Sequence, residues 1–118
     1  MPTSKNKLSI AADGRVWINT SEGKLAGKGR IELMEKIKEL GSIRQAAMAM
    51  EMSYRQAWQL VDDMNTKSNT LLVVSSRGGK GGGSASLTKK GEQLIILYNS
   101  FNKKFQNFLA RNNENFIF

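Results

Sequence analysis

The stretch from Gly41 to Asn65, GSIRQAAMAMEMSYRQAWQLVDDMN, constrains this chain more than any other. Apolar residues recur at Ile43, Ala46, Ala47 and Met50, then at Met52, Ala57, Leu60, Val61 and Met64. That is the spacing of two amphipathic helices meeting at a tight corner near Glu51. Ser42 and Ser53 stand where a hydroxyl can accept from the free amides that open each helix. Small Ala46 and Ala47 let the second helix cross closely over the first, and the unit reads as a helix-turn-helix.

With Ala57, Val61 and Met64 facing inward, helical geometry leaves Tyr54, Arg55, Gln56 and Gln59 pointing outward near the opening turn. These side chains suit double-stranded DNA. Arginine can grip guanine with two bonds, glutamine can do the same to adenine, and tyrosine can donate to phosphate. Any helix pair in a small domain has a polar outer face, so the reading needs support from the rest of the chain.

Charge supplies some of it. Eighteen Lys and Arg against ten Asp and Glu leave a formal charge of +8, which points to a polyanionic partner. The excess lies in the flanks, 1–30 and 71–118, while 31–70 carries five basic against six acidic groups. The flanks then meet the nucleic-acid backbone and the central helices supply register and selectivity. The chain has neither cysteine nor histidine, so thiolate or imidazole catalysis, disulfides and the usual zinc or copper sites are excluded; no cofactor is expected. With 118 residues, one domain is expected. No apolar run approaches the roughly 18 to 20 residues of a membrane span. The N-terminus MPTSKNKLSI lacks the apolar core of a signal peptide, so the expected location is cytoplasmic.

Before the central unit, residues 7–20 contain two strand-like runs, LSIA and RVWINT, separated by Ala12, Asp13 and Gly14. Asp-Gly between β-prone runs predicts a hairpin turning at that point. Lys7, Arg15 and Lys24 around it either touch phosphate or protect a sheet edge. Residues 21–28 read as a loop. A helical stripe follows, Ile31, Leu33, Met34, Ile37 and Leu40, closed by Gly41. The three helices span 29–67. Trp17 and Trp58 are expected in the core.

Beyond the central unit, Leu71–Ser75 and Ala85–Leu87 read as paired strands around a basic glycine-rich tip, Arg77-Gly-Gly-Lys80-Gly-Gly-Gly-Ser84. A hairpin of this kind over 71–87, directly after a helix-turn-helix, can lie along a phosphate backbone or enter a minor groove. The tip is not a nucleotide-binding loop: Gly81, not Ser or Thr, follows Lys80, and Ser84 stands where a dinucleotide fingerprint needs its third glycine. Thr88 caps a final helix over 88–112 whose broad apolar face includes Leu94, Leu97, Tyr98, Phe101, Phe105, Phe108 and Leu109. More apolar surface lies along it than one small domain covers, so a second copy is the expected partner.

GSIRQAAMAMEMSYRQAWQLVDDMN and RGGKGGGSASLTKKGEQLIILY together resemble the N-terminal DNA-binding domain of the ModE family, bacterial molybdate-responsive transcription regulators. That domain is a winged helix-turn-helix distantly similar to the LysR-type domain. The resemblance covers roughly residues 29 to 100 and rests most on Met52-Ser53-Tyr54 with Ala57-Trp58, the glycine-rich wing, and Leu87-Thr88 with Gly91. It implies an α+β, mainly α, winged helix-turn-helix with an N-terminal β-hairpin and a long C-terminal helix. It also implies a homodimer on a palindromic operator, Ser53, Tyr54, Arg55, Gln56 and Gln59 on the recognition helix, and the 77–83 wing on the backbone. Ser42, Arg44, Arg77, Gly79, Lys80 and Gly81 complete the expected DNA contacts, and Leu94, Leu97, Tyr98, Phe101, Phe105 and Phe108 the expected dimer face. A bacterial, nucleoid-associated location follows.

Two departures stand out. Glu51 occupies a turn position where the family usually has glycine. The family's full-length members continue into molybdate-binding domains, whereas this sequence stops at Phe118, so oxyanion sensing is not carried over. The other readings are a winged-helix protein-interaction module that does not read DNA and, with less support, an oxyanion binder built on the glycine loop. An enzyme fits worst: adjacent Asp62 and Asp63 point about 100° apart on a helix, and their expected roles are a solvated face or a partner for Lys67.

Overall fold

A computed structural model describes residues 8–76 and 83–113. Helical periodicity builds its centre. Helix α1, Lys28–Leu40, buries Ile31, Leu33, Met34 and Ile37, and ends where Gly41 enters the left-handed region at φ 70° and donates its N–H to Ile37 O at 2.8 Å. Leu40 belongs to the same apolar stripe by spacing but faces out. Helix α2, Ile43–Ala49, opens with Ser42 accepting from Gln45 N–H and buries Ile43, Ala46 and Ala47. Helix α3, Tyr54–Lys67, opens with Ser53 accepting from Gln56 N–H at 3.0 Å and buries Ala57, Val61 and Met64.

Between α2 and α3 the chain turns in four residues, Met50 to Ser53. Met52 N–H reaches back to Ala47 O at 3.0 Å, and Glu51 adopts φ 55°. A side chain in this conformation costs about 1–2 kcal/mol, while glycine adopts it freely at some entropic cost in the unfolded chain. Glu51→Gly is therefore expected to stabilise the fold by about 0.5–1 kcal/mol, read as a higher urea midpoint at unchanged slope. A lower midpoint would mean that the Glu51 side chain makes contacts that outweigh its strain.

The N-terminal hairpin lies further along than the Asp-Gly signal predicts. Strands β1, Ile18–Thr20, and β2, Gly23–Ala26, pair antiparallel through a turn at Ser21 and Glu22, with Ile18 opposite Ala26 and Thr20 opposite Gly23. Residues 21–28, expected as a loop, thus contribute a strand and the start of α1. At the expected turn, the Asp13 carboxylate accepts, among the described residues, only from its neighbour Gly14 N–H at 2.8 Å. The preceding backbone bonds to a distant side chain: Ala12 N–H donates to Asn113 Oδ1 at 2.7 Å and Ala12 O accepts from Asn113 Nδ2 at 3.0 Å. The 12–14 segment is held by the end of the last helix, through Asn113 on Ala12 and Phe105 on Gly14. Thr20 Oγ1 accepts from Glu22 N–H and donates to Lys67 O, which sets the true turn and ties it to the end of α3.

Strands β3, Val73–Ser76, and β4, Ser84–Leu87, pair antiparallel from Val73–Leu87 to Ser76–Ser84. Asn65 anchors β3 to α3, its Oδ1 accepting from Leu72 and Val73 N–H while its Nδ2 donates to Val73 O. Ala85 N–H donates to Gly41 O at 2.9 Å, so β4 docks on the corner between α1 and α2. Helix α4, Lys89–Asn112, starts with Thr88 accepting from Gly91 N–H. One hydrophobic cluster joins all these elements, with Leu25 and Ala26 from β2, Leu72 and Val73 at the wing base, and Leu94 and Tyr98 from α4. The result is a mainly helical winged helix-turn-helix with an N-terminal hairpin and a long C-terminal helix.

Candidate nucleic-acid interface

The burial phase of α3 determines its outer face. Because Ala57, Val61 and Met64 point inward, Ser53, Tyr54, Arg55, Gln56 and Gln59 are all exposed at its opening. Arg55 has no acidic partner among the described residues, which leaves its guanidinium free for a ligand. Ser53 and Ser42 accept from backbone amides at 3.0 and 3.1 Å, so each hydroxyl serves as a cap and keeps its proton to donate outward. Arg44, exposed at the start of α2, stacks its guanidinium over the Tyr54 ring, 4.3 Å from the centroid. These seven residues converge where α2 and α3 begin.

Trp58 was expected in the core and is 39% exposed. It follows buried Ala57 by one position, about 100° around the helix, which places it four residues from Tyr54 on the same face. Its indole N–H donates to the Tyr54 hydroxyl at 2.6 Å. The Tyr54–Trp58 spacing was the signal that could have found it. Trp17, also expected in the core, is 41% exposed. It lies flat on Gly27, where a Cβ would come within 2.8 Å of the indole, and Lys24 stands over the ring at 5.0 Å.

Asp63 does pair with Lys67, at 3.1 Å, but its shorter contact is with Arg30, at 2.6 Å. Arg30 also donates to Leu25 O, so one guanidinium clamps β2, α1 and α3 together. The hydrogen bond from Arg30 holds the Asp63 carboxyl below its ordinary value of 3.8, against the opposing effect of desolvation. A carboxyl depressed in the folded state stabilises above its unfolded pKa, and that contribution is lost as pH falls through the folded value. Asp63→Asn is expected to flatten the acid limb of the stability–pH curve below about pH 4, measured by urea unfolding at a series of pH values. An unchanged limb would mean that the ion pair contributes nothing.

The wing residues Arg77, Gly79, Lys80 and Gly81 lie outside the described residues. The wing base is described, and Ser76 and Ser84 join their hydroxyls across it at 2.8 Å. A recess of about 520 Å³ beside α1 is lined by Glu32, Glu35, Lys36, Glu39 and Glu51. Its negative charge would repel a phosphate backbone, unlike the α3 opening.

Of the residues expected to face a second copy, Leu94 and Tyr98 are buried in the chain's own core. Burial pushes the Tyr98 phenol above its ordinary pKa. Those two residues are withdrawn from the expected dimer face, because α1, β4 and the backbone at Leu72 already cover the first half of α4. Phe105 packs partly on Gly14, where a Cβ would approach the ring to 3.1 Å. Leu97, Phe101 and Phe108 remain more than half exposed, as does Ile96, which the spacing argument had omitted. Among the described residues no helix is long and apolar enough to cross a membrane.

No family model matches the chain. It is similar to the transcriptional regulator ModE of Yersinia pestis, with 51% identity over 69 residues, covering 58% of this chain and 26% of the relative. The molybdenum transport protein ModE of Azotobacter vinelandii is 35% identical over 100 residues, covering 85% of this chain and 37% of that protein. The DNA-binding transcriptional dual regulator ModE of Escherichia coli K12 is 46% identical over 69 residues, 58% of this chain and 26% of the relative. The chain thus spans between 26% and 37% of the length of these relatives. Among solved structures, ArgP from Mycobacterium tuberculosis superposes with a TM-score of 0.52 over 71% of this chain and 30% of its own, at 19% identity. That likeness is one of fold.

Proposed function

The chain is of the ModE type, matching the N-terminal DNA-binding region of those regulators, and from that premise we propose that it is a sequence-specific, dimeric regulator of transcription acting on double-stranded DNA. The observation that carries the reading is the opening turn of α3, where Arg55, Gln56 and Gln59 stand exposed beside Tyr54 and the two capping serines. In this reading α3 enters the major groove, where Arg55 and the glutamines meet base edges. Ser42, Ser53, Tyr54 and Arg44 meet the backbone, and the wing, with Arg77, Gly79, Lys80 and Gly81, lies on the backbone or in the minor groove. The unit is one domain: a three-helix core over 29–67, a wing over 71–87 and a dimerisation helix over 88–112. Leu97, Phe101 and Phe108, joined by Ile96 and the edge of Phe105, form the face toward a second copy. Such a protein works in the bacterial cytoplasm, on the nucleoid, and catalyses no reaction.

Selection of bound fragments from random duplex DNA tests binding, selectivity and symmetry together. The expected product is a two-fold site whose halves are centred about one helical turn, or a multiple of it, apart. Recovery of fragments with no shared sequence at physiological salt would overturn sequence-specific regulation.

A further inference from the structure

Trp58 has no place in the contacts assigned above, yet its indole N–H donates to the Tyr54 hydroxyl at 2.6 Å. An indole nitrogen can only donate, so the phenol oxygen must accept, and the polar capacity Tyr54 has left to offer is its own O–H. On the ring's face lies Arg44, whose stacked guanidinium keeps its N–H edge open. Arg44 has no acidic partner among the described residues. One neighbour therefore sets the position of the Tyr54 ring and the other sets the polarity of its hydroxyl.

Resting on the DNA-binding reading, we infer that Trp58 is a positioning residue: it commits Tyr54 to donate, so that Tyr54 and Arg44 together grip one backbone phosphate where α2 and α3 open. The chemistry favours phosphate. A phosphate oxygen only accepts, which matches a hydroxyl whose acceptor side is occupied and a guanidinium that only donates. Position agrees, since the first helix of a helix-turn-helix crosses the backbone while the second reads bases.

A double-mutant cycle on the full chain tests this, using a duplex recovered by selection and a random duplex as probes. Trp58→Phe keeps an aromatic ring and removes the N–H, and Tyr54→Phe removes the hydroxyl. Each single change is expected to weaken both probes about three- to tenfold, because a phosphate contact carries no sequence information. The double variant is expected to bind no worse than Tyr54→Phe alone. Thermal melting should stay within a degree or two of wild type, since Trp58 and Tyr54 are both exposed. Additive losses, an unaffected Trp58→Phe, or losses confined to the selected duplex would overturn the inference while leaving DNA binding intact. A wild-type chain that binds neither duplex would overturn the DNA reading and this inference with it.

Discussion

Gly91→Ala is expected to destabilise the fold by about 3 kcal/mol, near the upper end for overpacked sites. A Cβ at Gly91 would stand 2.2 Å from the carbonyl oxygen of Leu72 and 3.1 Å from its carbon. The obstacle is backbone, so no rotamer change relieves it. That oxygen is also engaged: it accepts Thr88 N–H at 3.0 Å and lies 3.3 Å from Thr88 Oγ1, which in turn accepts Gly91 N–H. Making room requires the first turn of α4 to leave the wing base, breaking the helix cap and the seal over Leu72 at once. Urea unfolding measures the cost. Gly29→Ala is the control: it adds a methyl in helix α1 with nothing within 4 Å and should be neutral or slightly stabilising. Wild-type stability for Gly91→Ala would mean that wing base and α4 are less closely joined than described.

Arg55→Ala is expected to lower affinity for the preferred duplex about tenfold to a hundredfold, the range for one bidentate base contact. Affinity for random DNA should change far less. The pattern follows from position and freedom: Arg55 is the second residue of α3, exposed and without an ion-pair partner among the described residues. The side chain does no structural work that the substitution would disturb. The direct measurement is a comparison of salt-matched binding curves on selected and random duplexes, with a repeat selection that should lose preference at one base position per half-site. Lys80→Ala, in the wing, should weaken both duplexes alike, as a phosphate contact does. Equal losses on both duplexes for Arg55→Ala would move Arg55 to the backbone and leave base reading to Gln56 and Gln59.

Much of the centre was legible because its signals are short-range. Ser42, Ser53 and Thr88 cap helices with their own neighbours, Gly41 ends α1 through a left-handed turn, and the inward set Ala57, Val61 and Met64 follows from 3.6-residue periodicity. The exposed set at the opening of α3 is the complement of that buried set, so it could be read at the same time. The Glu51 corner was visible too, since only its conformation, not its place, needed coordinates.

What local pattern could not supply was which apolar or turn-forming group meets a distant partner. Asp13-Gly14 has the chemistry of a hairpin turn, yet Asn113, about a hundred residues away, takes the adjacent backbone, and Phe105 packs on Gly14. Trp17 and Trp58 are as hydrophobic as any core residue, but Trp17 lies on Gly27 at the surface and Trp58 shares its face with Tyr54. The apolar face of α4 is continuous in sequence. Its division into Leu94 and Tyr98 within the core and Leu97, Phe101 and Phe108 outside depends on how far α1 and β4 extend along it. Sequence alone therefore determined the helices, their caps and the polar opening turn of α3, because each depends on residues a few positions apart. Only tertiary structure decided the N-terminal path, the exposure of the tryptophans and the Arg30 clamp on Asp63, because burial and pairing between distant elements are properties of the packed whole.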